Sequence, residues 1–358
     1  MADYSAALLR GLRKLGSVEV NRPADIALYH IGNNQLHHEI YQRALSHPGV
    51  VAIHDAVIHH YFLGALSESE YIAEFTYNYG DWMADCAREL WRGRARSATD
   101  PRYFRYPMLR RIAETSLGVV VHNPAATRVV KEHAPGARVA EIPHLFDPPA
   151  LPPAYDVERL RRQLGCSGQT LLCGVFGYLR ESKRLAGLLR TFTRVREKAD
   201  VRLLVAGQFA SGDLARSVED LLASPGIVRT GYLSEGEFWR HAAAVDVCVN
   251  LRYPAAGESS GIAIRLMGIG KPVILTDGPE SVGFPTEACL RADSGENEEE
   301  EVAAYLLWLA ADAGSRAAIG TRAAAFIWSE HALDRAARLY WDLLRDCYDT
   351  HSGIQPPV

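Results

Sequence analysis

The sequence predicts an α/β protein of two doubly wound domains facing a cleft, and three observations carry that expectation. Short β-branched runs such as Gly49-Val-Val-Ala-Ile53, Leu117-Gly-Val-Val-Val-His122 and Val245-Asp-Val-Cys-Val-Asn250 alternate with helical patterns, as parallel strands joined by crossover helices do. The alternation runs on both sides of a proline cluster, Asp147-Pro-Pro-Ala-Leu-Pro-Pro-Ala154, which cannot enter a sheet interior and behaves as a stiff linker. A chain of 358 residues is long for one ordinary domain and fits two.

In chain order, Met1 to Leu15 reads as an amphipathic helix with Leu8, Leu9 and Leu12 on one face and Leu15 a turn further on. A doubly wound domain ordinarily opens with a strand and a glycine-rich turn that feed such a helix. Neither is present, so either the first strand is missing or another element covers the apolar face. Asp25-Ile-Ala-Leu-Tyr-His-Ile31 is a strand ending in the turn Gly32-Asn33-Asn34, with a helix from about Leu36 to Leu45 after it. The strand at Gly49 to Ile53 empties into His54 and Asp55, then His59 and His60. Ligands bind at such carboxyl ends in open α/β sheets. An imidazole beside a carboxylate suits acid/base chemistry and equally suits a histidine that is simply hydrogen-bonded; His59 and His60 read as structural. Residues 67–92 form a helical stretch rich in Tyr and Trp, Asn123-Pro124 opens a helix after the third strand, and Val139-Ala-Glu-Ile-Pro-His144 is a short strand or edge. The boundary falls in the proline cluster, giving domains 1–148 and 149–329 and a final helix in 330–358.

The second half begins with Leu171-Leu-Cys-Gly-Val-Phe-Gly177, a buried strand, then Tyr178-Leu-Arg-Glu-Ser-Lys183-Arg184 and a helix with Leu185, Leu188, Leu189, Phe192 and Val195 on one face. Cations at a helix N-terminus are locally unfavourable, and a bound anion removes the conflict. Lys183 and Arg184 are therefore candidate ligands for a diphosphate, against the plainer reading of two basic residues on a loop. The stretch Arg252-Tyr-Pro-Ala-Ala-Gly-Glu258-Ser259-Ser260-Gly261-Ile-Ala-Ile-Arg265-Leu-Met-Gly-Ile-Gly270-Lys-Pro-Val273 reads as a loop, a buried crossover helix and a strand. Ser259, Ser260 and Gly261 sit where free N–H groups and the macrodipole admit an anionic ligand, or where a serine simply caps the helix. Arg265, the one charge on an apolar helix, needs a partner.

In this order, Gly177, Lys183, Glu258, Gly261 and Gly270-Lys-Pro-Val273 resemble the donor-sugar motif of the retaining glycosyltransferases of family 4, which have the GT-B fold. The resemblance spans nearly the whole chain. It implies that Glu258 holds the donor sugar's hydroxyls with the Ser259 to Gly261 backbone, and that Lys183, Arg184 and Arg265 take the diphosphate. It also implies that His54 and Asp55 face the reacting centre, with an oxocarbenium-like transition state and no essential metal ion. The donor is a nucleotide-diphosphate sugar; no other cofactor is implied. The family's second glutamate is absent, Arg265 standing near its place, and Tyr178 occupies the position of a common arginine. Ala-Asp-Tyr-Ser closely follows the first glycine-rich loop in the family, which implies a truncated or misassigned start. The last helix of the family crosses back to the first domain.

Composition adds exclusions. A net charge of −4 gives no general attraction for nucleic acid, and no apolar run reaches bilayer length. Residues 92–111 are rich in arginine, with Tyr103, Phe104 and Tyr106 interleaved; they are a candidate for peripheral contact with anionic lipid or a phosphorylated acceptor and read equally as a solvated helical surface, and the acceptor itself is left open among a glycan, a lipid-linked glycan and a secondary metabolite. Six scattered cysteines without metal-ligand spacing, and no visible signal peptide, predict a cytoplasmic protein, with the inner membrane face as the site of any peripheral contact. The competing reading is a catalytically silent nucleotide-sugar-binding or scaffold subunit of a glycosylation complex. An NAD-dependent oxidoreductase is weaker, because no G-x-G-x-x-G follows a strand.

Overall fold

The computed structural model describes residues 2–353. They form two compact units, the first made of residues 2–145, Pro254–Ser259 and residues 331–353, the second of Phe146–Tyr253 and Ser260–Glu330. Between them the chain first passes from one unit to the other at Leu145 and Phe146. Ile142 and Leu145 pack into the core of the first unit, whereas the Phe146 ring packs with Trp328 of the second, 5.9 Å between centroids.

The first unit holds a parallel sheet of β1 (Leu28–Ile31), β2 (Val50–Ile53), β3 (Gly118–Val121) and β4 (Val139–Glu141), in the spatial order β1-β2-β3-β4. Strand order that never reverses, combined with right-handed crossovers, sends every connecting helix to one face. There Val51, Ile53, Val119 and Val121 meet Tyr41, Tyr61, Phe62, Phe75 and Ile112. The period-2 alternation turns Val50, Ala52 and Val120 to the other face, which the connecting helices leave bare. It is covered by Ala2–Leu12, through Tyr4, Ala7, Leu8 and Leu12, and by Leu333–Ser352, through Ala336, Ala337, Tyr340 and Leu343. The apolar face of the opening helix is thus buried against the final helix and the sheet. The fit is close: a Cβ on Gly11 would lie 2.7 Å from that of Ala337.

In the second unit the strands are β5 (Leu171–Phe176), β6 (Val201–Ala206), β7 (Ile227–Thr230), β8 (Val247–Asn250), β9 (Val273–Thr276) and β10 (Leu290–Ala292). All pairs are parallel, in the order β10-β9-β8-β5-β6-β7. This sheet reverses direction between β5 and β8, the topological switch point beside which ligands bind. Leu185–Arg196 and Glu298–Ala311 cover one face through Leu188, Leu189, Phe192, Val302 and Leu306. Ala154–Gln163, Glu235–Ala244, Gly261–Gly268 and Ala313–Glu330 cover the other.

Candidate functional site

In the second unit the loops leaving β5 and β8 flank the switch point. Gly177 ends β5 with φ +98°, and Gly207 ends β6 with φ +147°, its backbone so near that a Cβ there would lie 1.8 Å from the Gly177 oxygen. Only glycine permits that approach. The space a side chain on Gly177 would fill is bordered by Ile262 at 3.5 Å and the Lys183 Cε at 4.0 Å. Lys183 is buried, and its Nζ reaches the Asn250 Oδ1 at 3.4 Å. Asn250 is the last residue of β8; its Nδ2 donates to the Ser260 Oγ at 2.8 Å, and that oxygen accepts the Ala263 N–H at 3.2 Å as the cap of the helix Gly261–Gly268. Gly177, Lys183, Ser260 and Gly261 are therefore brought together, linked by Asn250, a residue the sequence did not single out.

The other predicted cations have different partners. Arg265 pairs with Glu235, and its guanidinium lies over the Phe238 and Trp239 rings at 4.0 and 4.3 Å. The lone charge of the buried helix is met there by an acid and two aromatic faces. Arg184 caps the helix Leu185–Arg196 in the left-handed region, φ 57° and ψ 28°, and its Nε donates to the Glu298 Oε1 at 2.8 Å. Glu298 is 3% exposed and its other oxygen, Oε2, is buried without a hydrogen-bond partner. Burial pushes this carboxyl above its ordinary pKa and Arg184 draws it back. Within the acidic run Glu296 to Glu301, Glu298 faces inward, and Glu299 and Glu300 pair with Arg190 and Arg194 respectively.

Glu258 and Ser259 belong to the segment Pro254–Ser259, which counts with the first unit. Glu258 Oε2 accepts the Ala256 N–H at 2.7 Å, and Ser259 Oγ donates to the His122 carbonyl at 3.1 Å. Asn123 Nδ2 holds Gly257 O at 3.0 Å and Ser259 Oγ at 3.1 Å, and Val57 N donates to Ala256 O at 2.9 Å. The segment is thus pinned beyond the carboxyl ends of β2 and β3.

At the same edge of the first sheet lies a group the sequence reading did not assemble. His54, half-buried just past β2, has histidines at both ring nitrogens: His30 Nδ1 lies 3.0 Å from His54 Nε2, and His122 Nε2 lies 3.3 Å from His54 Nδ1. The partners of the His54 ring nitrogens are therefore imidazoles and not Asp55, whose Oδ2 accepts the Asn33 N–H at 2.8 Å and holds the turn after β1. His144 lies edge-on nearby, 5.6 Å from the His122 ring, and the Tyr4 ring lies 4.9 Å from His54 and 4.7 Å from His144. Burial, then the neighbouring His122, lowers His30 to about 4; burial lowers His122 to about 4, and His54 and His144 fall well below the usual imidazole value. These rings are neutral at pH 7. His59, by contrast, is clamped between the Tyr103 carbonyl at 3.0 Å and the Tyr71 hydroxyl at 2.7 Å, a packing role.

In the basic region, Arg102 pairs with Asp100 and Glu89, Arg110 with Glu114, Arg111 with Glu74, and Arg94 lies over the Trp91 ring. Among the described residues no group of three or more His, Cys, Asp or Glu is arranged to hold a metal ion, and no helix is long and apolar enough to cross a membrane.

No protein-family model matches the sequence, and no curated protein matches it. Solved structures do. HepE of Anabaena, in complex with UDP and glucose, matches with a TM-score of 0.62 at 15% identity, over 98% of this chain and 81% of its own. Sucrose-phosphate synthase of Thermosynechococcus elongatus matches with a TM-score of 0.66 at 14% identity, over 90% and 74%. WaaG, a glycosyltransferase involved in lipopolysaccharide biosynthesis, matches with a TM-score of 0.59 at 15% identity, over 98% and 82%. With two parallel sheets, the second reversing at a glycine-lined switch point, the chain has the GT-B fold of these glycosyltransferases.

Proposed function

We propose that the protein is a glycosyltransferase of the retaining, metal-independent kind, resembling family 4, which moves a hexose from a nucleotide-diphosphate sugar to a glycan or lipid-linked acceptor. The observation that carries this reading is the convergence of Lys183, Asn250 and Ser260 on the start of the helix Gly261–Gly268 beside the switch point. A buried ammonium next to free helix N–H groups suits an anion whose charge grows as the glycosidic bond breaks. HepE, crystallised with UDP and with UDP-glucose, supports the same ligand class. In this reading Lys183 and the Gly261 backbone hold the diphosphate, Glu258 and Ser259 hold the donor sugar, and the His54 edge, with Asp55 fixing its turn, meets the acceptor. Arg184 and Arg265 serve their ion pairs and stand outside the diphosphate set. Peripheral membrane contact through residues 92–111 is not needed by this reading, since Arg102, Arg110 and Arg111 already have acidic partners.

The test is a panel of UDP-, GDP- and dTDP-sugars screened for thermal stabilisation and then for transfer. A matching donor at about a hundred times its Kd stabilises the fold by about 2.7 kcal/mol, and Lys183→Met removes most of that gain. If no nucleotide sugar stabilises the protein, the reading fails. Stabilisation without transfer to any acceptor would leave the catalytically silent binding or scaffold subunit.

A further inference from the structure

The three histidines at the edge of the first sheet have a direction. A neutral imidazole carries one N–H and one lone pair, and a carbonyl oxygen only accepts. His122 Nδ1 lies 2.9 Å from the Ile142 carbonyl oxygen, so that nitrogen carries the proton and donates. His122 Nε2 is then a lone pair, and the His54 Nδ1 facing it at 3.3 Å must donate. That leaves His54 Nε2 as a lone pair, and His30 Nδ1, 3.0 Å away, must donate in turn. Each tautomer fixes the next. One backbone carbonyl thus dictates the proton positions of all three rings, and the chain ends in the lone pair of His30 Nε2, which has no hydrogen-bond partner among the described residues. His30 is half-buried near the carboxyl end of β1, two residues before the Gly32 turn that Asp55 holds.

We infer that His122, His54 and His30 form a hydrogen-bonded wire of fixed polarity, anchored on the Ile142 carbonyl, whose open end, His30 Nε2, accepts a hydrogen bond from a hydroxyl of the acceptor substrate. The hydroxyl part rests on the glycosyltransferase reading; the wire itself does not. His122 and His54 are positioning residues. A sugar or other polyol fits the open end because it offers a donor, whereas a carboxylate or phosphate would face a lone pair with lone pairs. The Tyr4 ring, packed 4.9 Å from His54 and 5.4 Å from His122, keeps water from the wire's flank, and its hydroxyl is bonded to Tyr340 at 2.9 Å instead of to an imidazole.

Nitrogen-15 NMR of the full chain with labelled histidine reads the tautomers directly, with assignment by single substitutions. At pH 7 the expected result is Nδ1–H at His30, His54 and His122 alike, the less common form in free histidine. An Nε2–H form at His54 or His30 overturns the wire. In His122→Phe, with folding checked by circular dichroism, the anchor is cut, and His54 and His30 are expected to lose their Nδ1–H preference. Retention of it shows that Ile142 does not set the polarity. Should His122→Phe fail to fold, the wild-type tautomers still decide. With a nucleotide sugar and acceptor in turnover, His30→Phe is expected to raise the acceptor KM about tenfold, the worth of one hydrogen bond, with the donor KM unchanged. An unchanged acceptor KM overturns the substrate role. Absence of turnover with every sugar nucleotide counts against the proposed function, and the tautomers still judge the wire.

Discussion

Acidification should loosen the first unit before the second, by an amount that follows from its histidines. His30 and His122 have folded-state pKa values of about 4, set mainly by burial, against about 6.5 when unfolded. Between these values the unfolded chain binds protons that the folded chain refuses, so stability falls as pH falls through that window. The contribution is fully present above about pH 6.5 and is lost progressively down to about pH 4. From pH 7 to pH 5 one such histidine costs about 1.8 kcal/mol, and the two together between about 2 and 4 kcal/mol, since each ring's charge opposes the other's. Among the described residues the groups acting on the pair are not acids: Tyr4, His54 and His144 pack against them, His37 lies near His30, and His331 Nδ1 donates to the His144 carbonyl at 2.7 Å. Hydrogen exchange across pH 7 to 4.5, corrected for intrinsic rates, should show amides of β2 and β3 losing protection with a steeper pH slope than those of β5 and β6. Equal slopes in the two sheets would refute the reasoning.

Three substitutions probe other features. Arg184→Gly relieves a left-handed backbone worth about 1–2 kcal/mol but strips the buried Glu298 of its cation, for a net loss of about 2 kcal/mol in denaturant unfolding. Adding Glu298→Gln should recover most of it, and no recovery would show that Glu298 is not the burden. Arg265→Ala should lower stability by about 1 kcal/mol through its lost acid and aromatic contacts while leaving the thermal shift by nucleotide sugar unchanged; a vanished shift would return Arg265 to the donor site. Gly207→Ala places a Cβ against the Gly177 oxygen in a conformation closed to L-residues, and should cost more than about 3 kcal/mol or prevent folding. A variant as stable as the parent would mean that the two turns do not touch.

Much of this architecture can be read from local pattern. Leu171 to Phe176 and Val247 to Asn250 are apolar runs bounded by turn residues, and both are buried strands. Leu185, Leu188, Leu189, Phe192 and Val195 announce a helix with one buried face, which is what forms. The approach of Gly177 to Lys183 follows from a glycine-ended strand and a helix start. The histidine wire could not be read that way, because positions 30, 54 and 122 meet only once parallel strands lie side by side. A signal did exist: histidine stands at or just beyond the carboxyl end of every strand of the first sheet. Glu298 hid inside an acidic run, yet it shares a helix face with Val302, Leu306 and Leu309, and that phase marks it as the inward member. For Arg265 no signal was available, since Glu235, Phe238 and Trp239 lie on a separate helix whose packing the sequence does not reveal.

The interleaving of the first unit bears on how the chain is made. Residues 333–352 supply half the roof over Val50, Ala52 and Val120, so while the ribosome is still adding the second unit that sheet surface has only the opening helix, Ala2–Leu12, to cover it. The second unit, closed by residue 330, has all its strands available earlier. During synthesis the order of completion is therefore the reverse of the order of emergence, and the nascent first sheet is the part that a holding chaperone would be needed to shield.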